Sequence, residues 1–157
     1  MAKMLYAGED PRFIARRLCI LAAEDVGNAD PLALVLANAA LQISEFVGMP
    51  EARIPLAQAV IYLSCAPKSN ASYLAIDKAM QDIENNKVQD VPDHLKDATL
   101  DKDILGHGKD YKYAHNYKGH YVKQEYTLKK VTYYEPTDIG YEAKIKERLA
   151  KLRKVQK

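Results

Sequence analysis

Five tyrosines, three of the four histidines and four lysines fall inside the stretch GHGKDYKYAHNYKGHYVKQEY, residues 106–126. Histidines can ligate a transition metal, lysines can neutralise phosphates, and aromatic faces can stack on bases. The metal pattern is the weaker one. His107, His115 and His120 are separated by eight and five residues, with no cysteine nearby to complete a tetrahedral set. Zinc sites use short, paired ligand spacings instead, so no metal is assigned. The nucleic-acid pattern is better. Lys109, Lys112, Lys118 and Lys123 would meet phosphates, and Tyr113 and Tyr117 would stack on bases, each stack contributing about 1–3 kcal/mol. A third reading needs no ligand. Tyrosine covers apolar surface with its ring while its hydroxyl reaches water. A long segment without helix needs such anchors to lie over a helical core, here Tyr111, Tyr113 and Tyr117.

Other chemistries find no residues. The sequence contains no GxxxxGK[ST], no GxGxxG and no Cys-x-x-Cys, so no phosphate-cradling loop is present. No serine sits in a nucleophile elbow, and no carboxylate pair stands out as an acid–base couple. Glu24 and Asp25 close a helix and are expected to be solvated. No catalytic residue and no cofactor are assigned to this chain, and an independent enzyme has nothing to rest on. Cys19 and Cys65 lie in apolar helical stretches and are expected to be small buried hydrophobes.

The elements that must position these residues are helical. MAKMLYAGED has the look of the tail of a helix that begins elsewhere, closed by Gly8. Asp10 caps a new helix with Pro11 at its first position, and RFIARRLCILAAEDV runs on to Gly27. Asp30-Pro31 repeats the device, and LALVLANAALQISEFV runs to Gly48, with Asn38, Gln42 and Glu45 as a polar stripe. A helix over about 52–66 has Pro55 in its first turn, and Pro67 follows its end. NASYLAIDKAMQDIEN follows near 70–85, capped by Ser69. Beyond Asn86 periodicity fades. One helical turn is expected after Pro92 and another in DKDILGHG, and HYVKQEYTL with KVTYYEP suggests a small hairpin. DIGYEAKIKERLAKLRK closes as a surface helix with one stripe, Ile145, Leu149 and Leu152. Glu142–Lys146 and Glu147–Lys151 have the favourable i,i+4 order. The 157 residues fit one domain, a helical core over 1–88 and a wrapping extension over 89–157.

The helix over 52–66 is apolar on nearly every face, which demands burial all round. A bundle of this size has few such interior positions, so part of that surface is expected to meet another subunit. Leu34, Leu41, Ile61 and Tyr62 are the apolar interface candidates; Arg16 and Arg17 form a basic pair that could meet carboxylates across the contact or touch a partner, though a solvent-exposed pair explains them more simply. Net charge is +2 but uneven. Residues 1–90 carry 8 basic and 11 acidic side chains, and residues 91–157 carry 15 and 10. The basic second half admits a polyanion, though solvated lysines explain it equally well. The longest apolar run, within 54–66, is broken by Gln58 and Ser64 and is too short to span a bilayer, and no signal peptide opens the chain. No membrane association and a cytoplasmic location are expected.

AGEDPRFIARRL, AAEDVGNADPLAL, PLAQAVIYLSCAPKSNASY, DVPDHLKDA, GKDYKYAHNY and YYEPTDIGYEAKIKERL, taken in that order, resemble the C-terminal region of the RarA/MgsA proteins. These are replication-associated recombination proteins of the AAA+ ATPase superfamily. The resemblance covers about residues 2–153. It implies a mainly α fold similar to the clamp-loader C-terminal domain, holding subunits together as a homotetramer. It also implies an ATPase module upstream that binds ATP and Mg, so that this chain would be a fragment without ATPase motifs. The implied partners are fork DNA and single-stranded DNA-binding protein, at the nucleoid. Because GKDYKYAHNY belongs to a family block, the resemblance favours the wrapping reading, with DNA contact by its lysines left open.

Overall fold

The computed structural model describes residues 1–85, 88–97 and 107–154. Its helices are α1 (Ala2–Tyr6), α2 (Pro11–Leu21), α3 (Leu32–Val47), α4 (Arg53–Cys65), α5 (Ala71–Asn85) and α6 (Glu142–Lys154). Short 3₁₀ turns occupy Asp93–Leu95, Ala114–Asn116 and Lys118–His120.

Local chemistry sets the boundaries. Gly8 (φ +85°) closes α1, with its N–H on Leu5 and the Glu9 N–H on Met4, the paired bonds that satisfy a helix's last carbonyls. Asp10 Oδ1 accepts the Arg12 N–H at 2.8 Å and Asp30 Oδ1 accepts the Leu32 N–H at 3.1 Å, so both Asp-Pro pairs start helices as expected. α2 runs on through a π-helical turn, Ala22–Val26, and a 3₁₀ turn, Gly27–Ala29. Pro55 lies in the first turn of α4, and one 3₁₀ turn follows Pro92.

α2, α3 and α4 enclose the core, built from Ile14, Leu18, Val26, Leu56 and Leu63 around a set of alanines. α3 is inverted relative to an ordinary amphipathic helix. Its buried face is Ala33, Ala37, Ala40 and Ser44, at i, i+4, i+7 and i+11. Its large residues Leu32, Val35, Ile43 and Phe46 face out, Phe46 at 91% exposure. Small residues let the flanking helices approach closely, and close packing is what a core requires.

Three expectations are corrected. The hairpin does not form: among the described residues there is no strand. Instead the KVTYYEP segment and the lysine before it are tied to other parts of the chain. Lys129 N–H reaches Gln89 Oε1 at 2.8 Å, the Tyr133 hydroxyl reaches Asp82 at 2.6 Å and the Tyr134 hydroxyl reaches Glu142 at 2.9 Å. Strand propensity describes fit to a pleated, half-buried surface, and no such surface is offered here. Cys65 is exposed, on the outer side of α4's last turn, while Cys19 is half-buried and its thiol is pushed up by burial. Glu147–Lys151 pairs at 2.5 Å, but Glu142–Lys146 does not: Lys146 meets Asp138 at 2.7 Å and Glu142 is fully buried. Most of DKDILGHG lies outside the described residues.

Candidate functional site

The junction that mounts the extension on the core is built around the 3₁₀ turn Gly27–Ala29. Gly27 (φ +52°) comes so near α5 that a Cβ there would lie 2.5 Å from the Ser69 carbonyl oxygen. Asn28 Nδ2 donates to Ser72 at 3.0 Å and, more weakly, to the Tyr134 hydroxyl at 3.4 Å. The Ala29 carbonyl accepts the Tyr141 N–H at 2.7 Å, and a Cβ on Gly140 (φ +56°) would lie 2.1 Å from that same oxygen. Only glycine fits either approach.

Beside this turn the Glu142 carboxylate accepts four bonds. The Ser69 hydroxyl (2.7 Å), the Thr137 N–H (2.9 Å) and the Thr137 hydroxyl (2.7 Å) reach Oε2, and the Tyr134 hydroxyl reaches Oε1. Burial pushes its pKa up, but these donors outweigh that and hold it below the ordinary carboxylate value. Ser69 also accepts the Ala71 N–H at 3.3 Å, so it serves α5 and α6 at once. The arrangement is a structural latch. Glu142 is fully buried, and the hydroxyls beside it are engaged as donors to its carboxylate.

Three of the sequence-predicted lysines converge. Lys109, Lys112 and Lys123 line one open groove of about 670 Å³, with Asp93, His94, Asp110, Gln124 and Glu125. The Gln124 side-chain amide holds its two sides together, accepting the Lys112 N–H and donating to the Lys112 carbonyl, both at 3.3 Å. Lys96 donates to Asp93 at 2.7 Å and to Asp90 at 3.0 Å, and keeps both carboxyls below their ordinary range. Asp93 is thereby engaged, leaving Asp110 and Glu125 as the groove's other acidic groups. The His94 Nε2 is buried without a hydrogen-bond partner among the described residues. Lys118 is not in this wall. Tyr111, Tyr113 and Tyr117 are about half exposed, so they do not anchor the segment. Tyr133 and Tyr134 do, two residues that sequence reasoning placed in a hairpin. The half-exposed Tyr111 and Tyr117 rings have open faces for stacking, whereas the Tyr113 ring packs on His115.

His115 and His120 bring their Nδ1 atoms to 3.2 Å, with Tyr113 packed on His115. Among the described residues no three His, Cys, Asp or Glu side chains gather to hold a metal ion.

The interface candidates divide. Leu41 is half-buried on the core, and the Tyr62 hydroxyl donates to Asp30 Oδ2 at 2.6 Å. Both serve the chain's own packing. Arg16, Arg17, Leu34 and Ile61 are exposed, Ile61 at 66%. The outward ridge Leu32, Val35, Ile43 and Phe46 was missed. Its signal was present in the sequence, as a second apolar stripe opposite the alanines. Among the described residues no helix is long and apolar enough to cross a membrane.

The sequence profile described as "MgsA AAA+ ATPase C terminal" matches residues 1–153. Replication-associated recombination protein A of Bacillus subtilis is 48% identical over 98% of this chain, and that of Escherichia coli K12 is 43% identical over 95%. A Mycobacterium tuberculosis protein described only as containing an AAA domain is 49% identical over 99%. The chain spans 38%, 34% and 35% of those three proteins' lengths. With its helical core, its latched C-terminal helix and a match over nearly its full length, the chain belongs to the MgsA AAA+ ATPase C-terminal family.

Proposed function

We propose that this chain is the self-association module of an AAA+ ATPase that acts in replication-associated recombination, assembling as a homotetramer. The observation that carries the reading is the inversion of α3. Alanines fill its buried face, while Leu32, Val35, Ile43 and Phe46 stand in solvent, with Ile54 and Ile61 exposed on α4. Exposed apolar residues in such number mark an interaction surface. ATP and Mg would bind in a separate ATPase module of the longer protein, and this chain would supply no ATPase motif. Fork DNA and single-stranded DNA-binding protein would be the assembly's partners, at the nucleoid in the cytoplasm. The test is absolute mass by light scattering behind a sizing column, at low and high salt. A salt-resistant tetramer is expected. A monomer at tens of micromolar overturns the reading.

A second reading, direct contact with DNA, is favoured by the convergence of Lys109, Lys112 and Lys123 on one groove beside half-exposed tyrosines. A positively charged groove next to aromatic faces suits single strands.

A further inference from the structure

Among the described residues, two apolar faces left over from packing meet at one place. α5 gives the first. Tyr73, Ile76, Met80 and Ile83 recur at i, i+3, i+7 and i+10, and each is about half exposed. That spacing is a helix-pairing seam, roughly 15 Å long at 1.5 Å per residue. Asp77 and Glu84 each follow a seam isoleucine by one residue and border it with negative charge. α2 gives the second. Ile20 is exposed and Phe13 half-buried on its outer side, with the exposed Arg16 and Arg17 alongside. Arg16 sits over the Phe13 ring, 5.2 Å from its centre.

The faces are continuous. α5 packs on the π-helical turn that extends α2, and Glu24 of that turn is near enough to the Tyr73 hydroxyl to oppose its ionisation. One surface therefore carries cations at its α2 end and carboxylates along its α5 end. Arg16, Arg17 and Glu84 form no salt bridge among the described residues. Asp77 interacts with the Tyr73 hydroxyl on its own helix.

We propose that a second copy of this chain docks on this surface about a two-fold axis. α2 of each copy lies against α5 of the other, and Arg16 and Arg17 face Asp77 and Glu84. A surface with opposite charges at its two ends is self-complementary under a two-fold, because each residue meets its counterpart twice. Pairing α5 with α5 would instead bring Asp77 and Glu84 onto like charges, which disfavours a contact. The proposal rests on the self-association reading and says which face mediates one of its contacts. A closed tetramer of this symmetry needs a second, different two-fold contact, and the α3 ridge is free to make it.

Charge reversal and its rescue test this. Light scattering would follow the wild type, Arg16→Glu/Arg17→Glu, Asp77→Lys/Glu84→Lys, Glu84→Lys alone, and the quadruple variant. Thermal melts would verify that each folds. The expected result is a wild-type tetramer, a mass halved in either double variant, weaker assembly in Glu84→Lys, and recovery in the quadruple variant. Double variants that keep the full mass overturn this contact while leaving self-association standing. Doubles that dissociate without rescue in the quadruple variant also overturn the pairing. A monomeric wild type overturns self-association itself, and this contact with it.

Discussion

Glu142 offers the sharpest test of how the C-terminal helix is held. Its carboxylate accepts four hydrogen bonds, with no salt bridge to it among the described residues. Replacing it by alanine strands four donors at a buried site. Bonds to a charged acceptor contribute about 1.5–3 kcal/mol each, and an unsatisfied buried group costs about 1–3 kcal/mol. The four share one carboxylate and partly rehydrate once α6 loosens, so their losses do not add. A net destabilisation of about 3 kcal/mol or more is expected for Glu142→Ala. For a chain of this size that lowers Tm by roughly 6–12 °C, at about 2–4 °C per kcal/mol. Glu142→Gln should cost less, because its carbonyl oxygen can take the Oε2 position, where three of the four donors converge. The pH dependence has a definite sign. The folded-state pKa lies below the ordinary value. The carboxylate's contribution is therefore fully present above the unfolded-state pKa, about 4.3, and is lost as pH falls through the folded value. Glu142→Gln should flatten that acid limb. Thermal melts from neutral pH down through the carboxylate range, with amide exchange over 137–154, provide the assay. Melting of Glu142→Ala within about a degree of wild type, or an acid limb unchanged in Glu142→Gln, would refute the latch.

Other consequences are open to direct measurement. Gly140→Ala places a Cβ 2.1 Å from the Ala29 carbonyl oxygen at a positive φ; it should destabilise the α6 junction, by more than the ~1 kcal/mol of an ordinary Gly-to-Ala mismatch, and show the same exchange pattern as Glu142→Ala. Gly48→Ala, with open space around it, should cost less. Tyr133→Phe removes the bond to Asp82 and should speed amide exchange in the 129–134 segment while leaving α2–α4 protected. If the groove binds single-stranded DNA, Lys109→Ala/Lys112→Ala should reduce the slope of log affinity against log salt by about 1.4, near 0.7 per phosphate contact; fluorescence anisotropy with an unchanged slope would remove both lysines from the contact.

Helix boundaries were legible because their causes are local. Asp10 and Asp30 cap the helices that follow them, and Gly8 and Gly48 end the helices before them, through bonds to near neighbours in sequence. Glu142 was not legible. In sequence it is one half of an i,i+4 pair with Lys146, and its burial depends on Ser69, 73 positions away. The anchors of the extension failed in the same way. Tyr111, Tyr113 and Tyr117 are the densest aromatic cluster, yet the tyrosines that hold the segment are those whose hydroxyls find Asp82 and Glu142. The grouping of Lys109 and Lys112 with Lys123 depends on Gln124 holding two distant stretches together.

α3 shows why composition alone could indicate an excess of apolar surface without placing it. The helix has two candidate inner faces, one of alanines and one of Leu32, Val35, Ile43 and Phe46. A rule that buries the largest side chains selects the second. The fold selects the first, because α3 is flanked by α2 and α4 and small residues allow closer packing. The energetic consequence falls on the outer ridge. Full burial of a large apolar side chain contributes about 1.5–3 kcal/mol; a two-fold contact covers four from each copy, and at their mean exposure of about two-thirds the eight contribute roughly 8–16 kcal/mol at most. Association costs about 4–15 kcal/mol before any of this is gained. The ridge alone is therefore close to break-even, and a second contact decides whether a closed assembly persists. In the proposed tetramer the α2–α5 surface supplies it, so removing that contact should leave ridge-paired dimers that dissociate on dilution.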